Sequence, residues 1–254
     1  MNDLWIVDNL KRIRERMNSA CRSVGRKTEE VKLLLATKTV PVERIKQALD
    51  ADETLIGENK VQELQQKYSL LQNDRTEWHF IGHLQTNKVK NVLKYVTCIQ
   101  SVDRLKLRRA LHKELTKENR QIDILVQVNT SYEESKFGIA PEETLNLVEQ
   151  LSELNTLNIK GLMTIGKLTT DSKETRKCFR LLKSIQQQII QQNYHGVEMD
   201  ILSMGMSGDL EVAIEEGATM IRVGTAIFGE RIYPNSYYWN ERLTIFQNNL
   251  ISSY

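Results

Sequence analysis

One lysine of this chain lies where a buried strand is expected to end. Residues 31–41, VKLLLATKTVP, contain three consecutive leucines, which are typical of a short buried strand. Lys38 follows that strand, and Pro41 is suited to begin a helix. Burial at this position would disfavour the charged ammonium group and leave some neutral amine able to attack an aldehyde. The alternative is that Lys38 only caps the strand and extends its ammonium group to water.

Two turns further along the chain have the composition of an anion-binding site. The first has the sequence SMGMSGD, and its candidate residues are Ser203, Met204, Gly205 and Ser207. The second offers Gly224 and the hydroxyl of Thr225. Glycines let backbone N–H groups approach a ligand, and the start of a following helix favours negative charge. The alternative is that Ser207 only caps a helix and that Gly205 only forms a turn.

An aldehyde-reactive lysine and a phosphate site together favour one cofactor, pyridoxal 5'-phosphate, which carries both an aldehyde and a phosphate. Arg222 would then lie near the pyridine ring. A guanidinium group donates hydrogen bonds but accepts none, so it would keep the ring nitrogen unprotonated and make the ring a weaker electron sink. The alternative for Arg222 is an ion pair, for example with Glu58.

These residues need a scaffold, and apolar strand patterns alternate with amphipathic helix patterns along the chain. Strands are predicted over 31–37, 54–57, 79–82, 96–102, 122–129, 159–165, 197–203 and 219–223. Helices are predicted over 2–25, 42–49, 61–71, 87–95, 104–118, 141–154, 173–192, 210–216 and about 237–251. Eight strand–helix units after one leading helix favour an α/β fold, a single (β/α)8 TIM barrel with an extra N-terminal helix. A doubly wound sheet is the alternative. In both folds, ligands bind at the carboxyl ends of the strands.

Composition limits the classes of function. The chain has 254 residues, of which 40% are hydrophobic and 27% charged, and its net charge is +2. One large core is therefore expected, and nothing in the charge favours a nucleic-acid partner. The three cysteines are far apart and form no metal-binding or disulfide pattern, and no apolar run reaches membrane-spanning length. We expect one domain over 1–254 in a cytoplasmic, monomeric protein without a membrane partner or a metal.

Several motifs resemble, in order, those of the pyridoxal phosphate homeostasis (YggS/PROSC) family. They are ATKTVPVERI (36–45), IGENKVQEL (56–64), WHFIGHLQTNK (78–88), SKFGI (135–139), GLMTI (161–165), SMGMSGDLEVAIEEG (203–217) and IRVGTAIFGER (221–231). The resemblance covers the chain from about residue 10 to residue 231. Lys60 departs from the tyrosine or arginine more usual after GEN, which leaves the contacts of that loop open.

The resemblance implies a barrel of the alanine racemase N-terminal type that holds pyridoxal phosphate as an imine. The residues implicated in cofactor binding are Lys38 for the imine, Ser207, Gly224 and Thr225 for the phosphate, Arg222 for the ring nitrogen, and Asn59 and His83 at the mouth. Met163 and Met204 are candidates for the wall of the pocket, although methionine more often fills core gaps. Lys136 is a second candidate for the reactive lysine, but the neighbouring Glu133 and Glu134 would favour its charged form.

Members of this family resemble carriers or buffers of pyridoxal phosphate that influence amino-acid and keto-acid balance, and no catalytic turnover is established for them. The implied partners are pyridoxal phosphate and, transiently, apo-enzymes that use it. Related racemases add a second domain, for which this chain has no room. Two alternatives are a racemase-like pyridoxal-phosphate enzyme and a cofactor-free barrel of the aldolase type.

Overall fold

The apolar runs of the sequence form eight parallel strands in a computed structural model that describes residues 5–71 and 75–230. The strands are β1 Lys32–Ala36, β2 Leu55–Glu58, β3 Glu77–Phe80, β4 Cys98–Val102, β5 Ile122–Gln127, β6 Leu157–Met163, β7 Val197–Ser203 and β8 Met220–Val223. Each strand pairs with the next, and β8 pairs with β1, so the sheet closes into a barrel. The predicted (β/α)8 barrel is confirmed, and the doubly wound alternative is wrong because closure leaves no sheet edge.

Helices surround this barrel. They are α1 Trp5–Ser23, α2 Val42–Asp50, α3 Val61–Leu70, α4 Val89–Val92, α5 Leu105–Glu118, α6 Thr144–Ser152, α7 Ser172–Gln192, α8 Leu210–Glu215 and α9 Thr225–Phe228. The extra N-terminal helix is confirmed as α1, which buries Ile6, Leu10, Ile13 and Met17 and packs against α8 and α9. The first residues of the predicted helix 2–25 and the whole of the predicted helix 237–251 lie outside the described residues.

Several predicted bounds differ from the structure, and the fourth strand, for example, begins two residues later than predicted, at Cys98. The third and sixth strands begin two residues earlier than predicted, because their bounds follow the hydrogen-bonded register with β2 and β5 rather than local hydrophobicity. The predicted helix 87–95 is a 3-10 turn at Thr86–Lys88 followed by the single turn α4. Helix α9 was missed because four residues are too short to show a helical period.

The main core lies between the barrel and its helices, whereas the inside of the barrel is packed by a second set of side chains. Leu34, Leu55 and Met220 form one small apolar cluster there. Cys98, Leu125 and Met163 form another. A closed barrel of eight strands is filled by side chains in this way, so a ligand can enter only at its ends. Within residues 5–71 and 75–230, no helix is both long and apolar enough to cross a membrane.

Candidate functional site

A cavity of about 560 Å³ opens at the carboxyl ends of the strands. Eight of the predicted site residues line it, namely Lys38, Asn59, His83, Met163, Ser207, Arg222, Gly224 and Thr225. Closure of the barrel brings these residues together from six of the eight strand ends. A smaller cavity of about 380 Å³ lies at the opposite end of the barrel, beside the first residues of β1 and β3, and is lined by other residues.

Lys38 lies in the loop between β1 and α2, and its side chain is half-buried on the cavity wall. The residue before it, Thr37, is fully buried and continues the backbone pairing with β2. The residue after it, Thr39, has a φ of 63°. Left-handed backbone is rare for a β-branched residue, so this loop has a strained conformation that its surroundings must hold.

The two predicted anion-binding turns meet on one side of the cavity. The hydroxyl of Ser207 lies 3.2 Å from the hydroxyl of Thr225 and accepts a hydrogen bond of 3.3 Å from the backbone N–H of Ala226. Gly224 has no room for a side chain, because a Cβ atom there would lie 2.8 Å from the carbonyl oxygen of Ala36. Two hydroxyls and the backbone N–H of Ala226 therefore lie together at the start of α9, an arrangement of donors that suits an anion.

Arg222 projects from β8 into the barrel, where it is 6% exposed. Its Nη1 donates to the hydroxyl of Ser203 (2.8 Å), and its Nη2 donates to the carbonyl oxygen of Thr164 (2.7 Å). Burial lowers the pKa of Arg222 to about 10, an effect that the charge of Asp209 opposes. The guanidinium group therefore stays charged at neutral pH and is fixed in orientation at the floor of the cavity.

Three of the predicted site residues lie behind the cavity wall rather than on it. Ser203 is fully buried and accepts the hydrogen bond from Arg222. Met204 is fully buried in the main core, where it fills space among apolar side chains. The carbonyl oxygen of Gly205 accepts from the backbone N–H of Arg222 (2.9 Å), and a Cβ at Gly205 would lie 2.4 Å from that of Ala213. This part of the turn therefore contacts the backbone of Arg222 and packs closely against α8, outside the cavity.

A polar chain continues from Ser203 across the inside of the barrel, and sequence reasoning missed it. The hydroxyl of Ser203 donates to Oε1 of Gln100 (2.7 Å), and Nε2 of Gln100 lies 2.8 Å from Nδ1 of His79. Burial, together with the charge of Lys32, lowers the pKa of His79 to about 3, so its ring is neutral and Nδ1 can accept the hydrogen bond. The only signal in the sequence was the polar pair Gln100-Ser101 within a buried strand.

Asn59 and His83 line the same cavity from the ends of β2 and β3. The Oδ1 atom of Asn59 is buried and has no hydrogen-bond partner within the described residues. The ring of His83 stacks on the ring of Phe137, with 3.8 Å between their centres and 17° between their planes. This stack joins the loop after β3 to the loop after β5 beside the cavity.

Lys136 also lines the cavity, but its ammonium group is engaged. Its Nζ forms an ion pair with Glu133 and donates a hydrogen bond of 2.6 Å to the carbonyl oxygen of Gly166. A nitrogen atom engaged in both contacts is a poor nucleophile. These contacts argue against Lys136 as the group that bonds an aldehyde.

Glu58 pairs with Lys67 rather than with Arg222. The Nζ atom of Lys67 lies 2.7 Å from Oε1 of Glu58 and 3.0 Å from Oε2 of Glu63. Burial raises the pKa of the Glu58 carboxyl, an effect that the charge of Lys67 opposes. Within the part of the chain that the structure describes, Glu58 and Arg222 form no ion pair, so the suggested pair is not present. The i, i+4 spacing of Glu63 and Lys67 was the available sequence signal for this cluster.

Residues 8–232 match the family described as alanine racemase, N-terminal domain. A pyridoxal phosphate homeostasis protein of Aquifex aeolicus is 43% identical over 226 residues, which cover 89% of this chain and 98% of that protein. The structure of PipY of Synechococcus elongatus with pyridoxal phosphate bound is similar, with a TM-score of 0.75 and 33% identity, covering 85% of this chain and all of that one. An alanine racemase of Clostridium difficile, only 14% identical, has a TM-score of 0.72 over 89% of this chain and 57% of its own, a likeness of fold alone.

Proposed function

We propose that this chain, which belongs to the family of pyridoxal phosphate homeostasis proteins with the alanine racemase N-terminal fold, binds pyridoxal 5'-phosphate reversibly and performs no catalytic turnover. The observation that carries the proposal is the position of Lys38. It lines one cavity together with Ser207, Thr225 and Arg222, which come from the other end of the chain. The amine suits the aldehyde of the cofactor, the anion site suits its phosphate, and the fixed guanidinium group suits its pyridine ring.

The donors around the cavity fit this cofactor. The converging hydroxyls of Ser207 and Thr225 and the close approach of the backbone at Gly224 suit a phosphate group. The buried Oδ1 of Asn59 is an acceptor still able to take a hydrogen bond from a polar ligand, such as one bearing a hydroxyl. The similar structure of PipY of Synechococcus elongatus with pyridoxal phosphate bound adds support.

Lys38 is the residue that would attach the cofactor. Bound pyridoxal phosphate supplies an aldehyde that condenses reversibly with amines. The neutral amine of Lys38 would add to the aldehyde carbon, and the carbonyl oxygen would leave as one water molecule, which gives an imine. Water reverses this step, so one covalent bond both holds and releases the cofactor. Ser207, Gly224 and Thr225 would bind the phosphate, and Arg222 would donate a hydrogen bond to the ring nitrogen without protonating it.

The remaining parts of the proposal concern the setting of the protein. We propose that all 254 residues form one barrel domain and that the protein is a cytoplasmic monomer. Apo-enzymes that use pyridoxal phosphate would be its transient partners. The three cysteines of the chain are buried and unpaired, which suits a reducing compartment.

Absorbance and mass spectrometry test the attachment. We expect the purified protein with added pyridoxal phosphate to show the absorbance band of an imine, and borohydride reduction to fix a pyridoxyl group on Lys38. Lys38→Ala should abolish both signals, whereas the matched control Lys136→Ala should keep them. An adduct on Lys136, or no band in the wild type, would refute this assignment.

The fold leaves one competing function, a racemase-like enzyme acting on amino acids. Incubation of the loaded protein with L-alanine and other L-amino acids, followed by chiral separation, distinguishes the two functions. A carrier should produce D-amino acid no faster than free pyridoxal phosphate does. Turnover of about 1 per second or more, typical of enzymes, would refute the carrier.

A further inference from the structure

A buried lysine that the proposed function does not use lies beside the loop that carries Lys38. The side chain of Lys67 projects from α3 and is 9% exposed. Its Nζ donates to the carbonyl oxygen of Thr37 (2.7 Å), to Oε1 of Glu58 (2.7 Å) and to Oε2 of Glu63 (3.0 Å). An ammonium group has three N–H donors, so these bonds use all of them.

The cluster formed by Lys67, Glu58 and Glu63 also contacts the residues on both sides of Lys38. On one side, the hydroxyl of Thr37 donates to Oε1 of Glu58 (2.7 Å), in addition to the bond from Lys67 to the Thr37 carbonyl. On the other side, the backbone N–H of Thr39 donates to Oε2 of Glu63 (2.7 Å). The backbone before and after the reactive lysine is thus fixed by one cluster of charges.

The hydrogen bond from Thr39 has a particular role because of the backbone conformation there. A φ of 63° is unfavourable for threonine, and the loop would relax without a strong contact to hold it. A carboxylate oxygen that accepts from a backbone N–H provides such a contact. A relaxed loop would move the amine of Lys38 relative to the phosphate-binding turns, which line the same cavity.

We propose that Glu63 and Lys67 are positioning residues, which hold the loop so that the amine of Lys38 reaches the aldehyde of a ligand whose phosphate lies at Ser207. This inference rests on the proposed function. It assigns to Glu63 one specific task, accepting the hydrogen bond from the N–H of Thr39. The negative charge of Glu63 matters less, because Glu58 already provides Lys67 with a buried counter-ion.

Two substitutions separate the acceptor from the charge. Glu63→Gln keeps an oxygen for the N–H of Thr39 and removes the charge, whereas Glu63→Ala removes both. The matched control is Glu43→Ala, an exposed carboxylate on α2, the helix that follows the same loop. Each variant is titrated with pyridoxal phosphate, with imine absorbance as the readout. Each is also titrated with pyridoxine 5'-phosphate, which has the same ring and phosphate but an alcohol in place of the aldehyde.

We expect Glu63→Ala to raise the apparent Kd for pyridoxal phosphate about tenfold, the effect of losing one hydrogen bond to a charged group. Glu63→Gln and Glu43→Ala should stay within about threefold of the wild type, less than the loss of one such bond. All three should bind pyridoxine 5'-phosphate like the wild type, because the phosphate-binding turns are untouched.

Equal losses in Glu63→Gln and Glu63→Ala would overturn the acceptor role, and so would an unchanged Glu63→Ala. A Glu63→Ala protein that also loses pyridoxine 5'-phosphate would show that Glu63 supports the fold, and this too would overturn the proposal. A wild type without imine absorbance would instead refute the proposed function, and the positioning role with it.

Discussion

Replacing Ser207 by alanine tests whether the phosphate group is bound where the two turns converge. Among the described residues, the hydroxyl of Ser207 makes only long hydrogen bonds, of 3.2 and 3.3 Å, so its removal should cost the fold about 1 kcal/mol or less. A hydrogen bond from the same hydroxyl to a charged phosphate is worth about 1.5–3 kcal/mol. Ser207→Ala should therefore weaken binding of pyridoxal phosphate about 10- to 150-fold, at about 1.4 kcal/mol per factor of ten.

The assay compares pyridoxal phosphate with pyridoxal, which has the aldehyde and the ring but no phosphate. Imine absorbance is measured at increasing ligand concentration for the wild type, for Ser207→Ala and for the control Ser69→Ala. Ser69 is exposed on α3, and its hydroxyl donates only to the carbonyl oxygen of Gln66 in its own helix. Thermal unfolding of each protein checks that the fold is intact.

We expect Ser207→Ala to lose affinity for pyridoxal phosphate and to bind pyridoxal as the wild type does. A similar loss for both ligands would mean that Ser207 shapes the cavity rather than binding the phosphate. If Ser207→Ala weakens the affinity for pyridoxal phosphate by less than about twofold, the phosphate binds elsewhere. Such a change is far smaller than the loss of one hydrogen bond to a charged group.

Three further changes test the surroundings of the site. Lys67→Met leaves the fully buried carboxylate of Glu58 without its counter-ion. It should lower the free energy of unfolding, measured in urea, by about 3–5 kcal/mol. The ion pair of Lys177 is exposed, so the control Lys177→Met should change the free energy of unfolding by less than about 1 kcal/mol. The pKa of His79 is lowered to about 3 in the folded protein. Between about pH 6.5 and 3, His79 is therefore protonated in the unfolded chain but neutral in the folded protein. Its contribution to stability therefore falls with falling pH by at most about 1.4 kcal/mol per pH unit, and His79→Gln should remove that part of the dependence in urea titrations. Gly224→Ala should weaken pyridoxal phosphate binding, because the added methyl would lie 2.8 Å from a backbone oxygen at the end of β1 and one of the two segments must move; unchanged affinity would contradict this.

The barrel itself could be predicted from the sequence because its signals are local. Each strand is a short apolar run, and each long helix repeats apolar residues every three or four positions. β7, for example, has the predicted bounds Val197–Ser203, and α2 begins at the predicted Val42. Prediction was weaker at β3 and β6, where pairing with a neighbouring strand decides the bounds, and it missed the four-residue α9.

The side chains behind the candidate site could not be found in the same way. His79, Gln100 and Ser203 come from three different strands and meet only inside the closed barrel. Lys67 looks like an ordinary surface lysine in its helix, yet its ammonium group is enclosed by acceptors on the chain around β1 and β2. Apart from the i, i+4 contact between Glu63 and Lys67, the hydrogen bonds of these groups join different strands, helices and loops, so no local sequence pattern predicts them.

The sequence alone determined the alternation of strands and helices, a lysine after the first strand and glycine- and serine-rich turns near the last two, since these depend on residue type and short spacing. The tertiary structure decided which of those residues share a cavity. Pairing of β8 with β1 closes the barrel and brings Arg222 and Thr225 to the same cavity as Lys38. Ser203 faces the inside of the barrel beneath Arg222, whereas Met204 faces the main core, because successive residues of a strand point to opposite faces of the sheet.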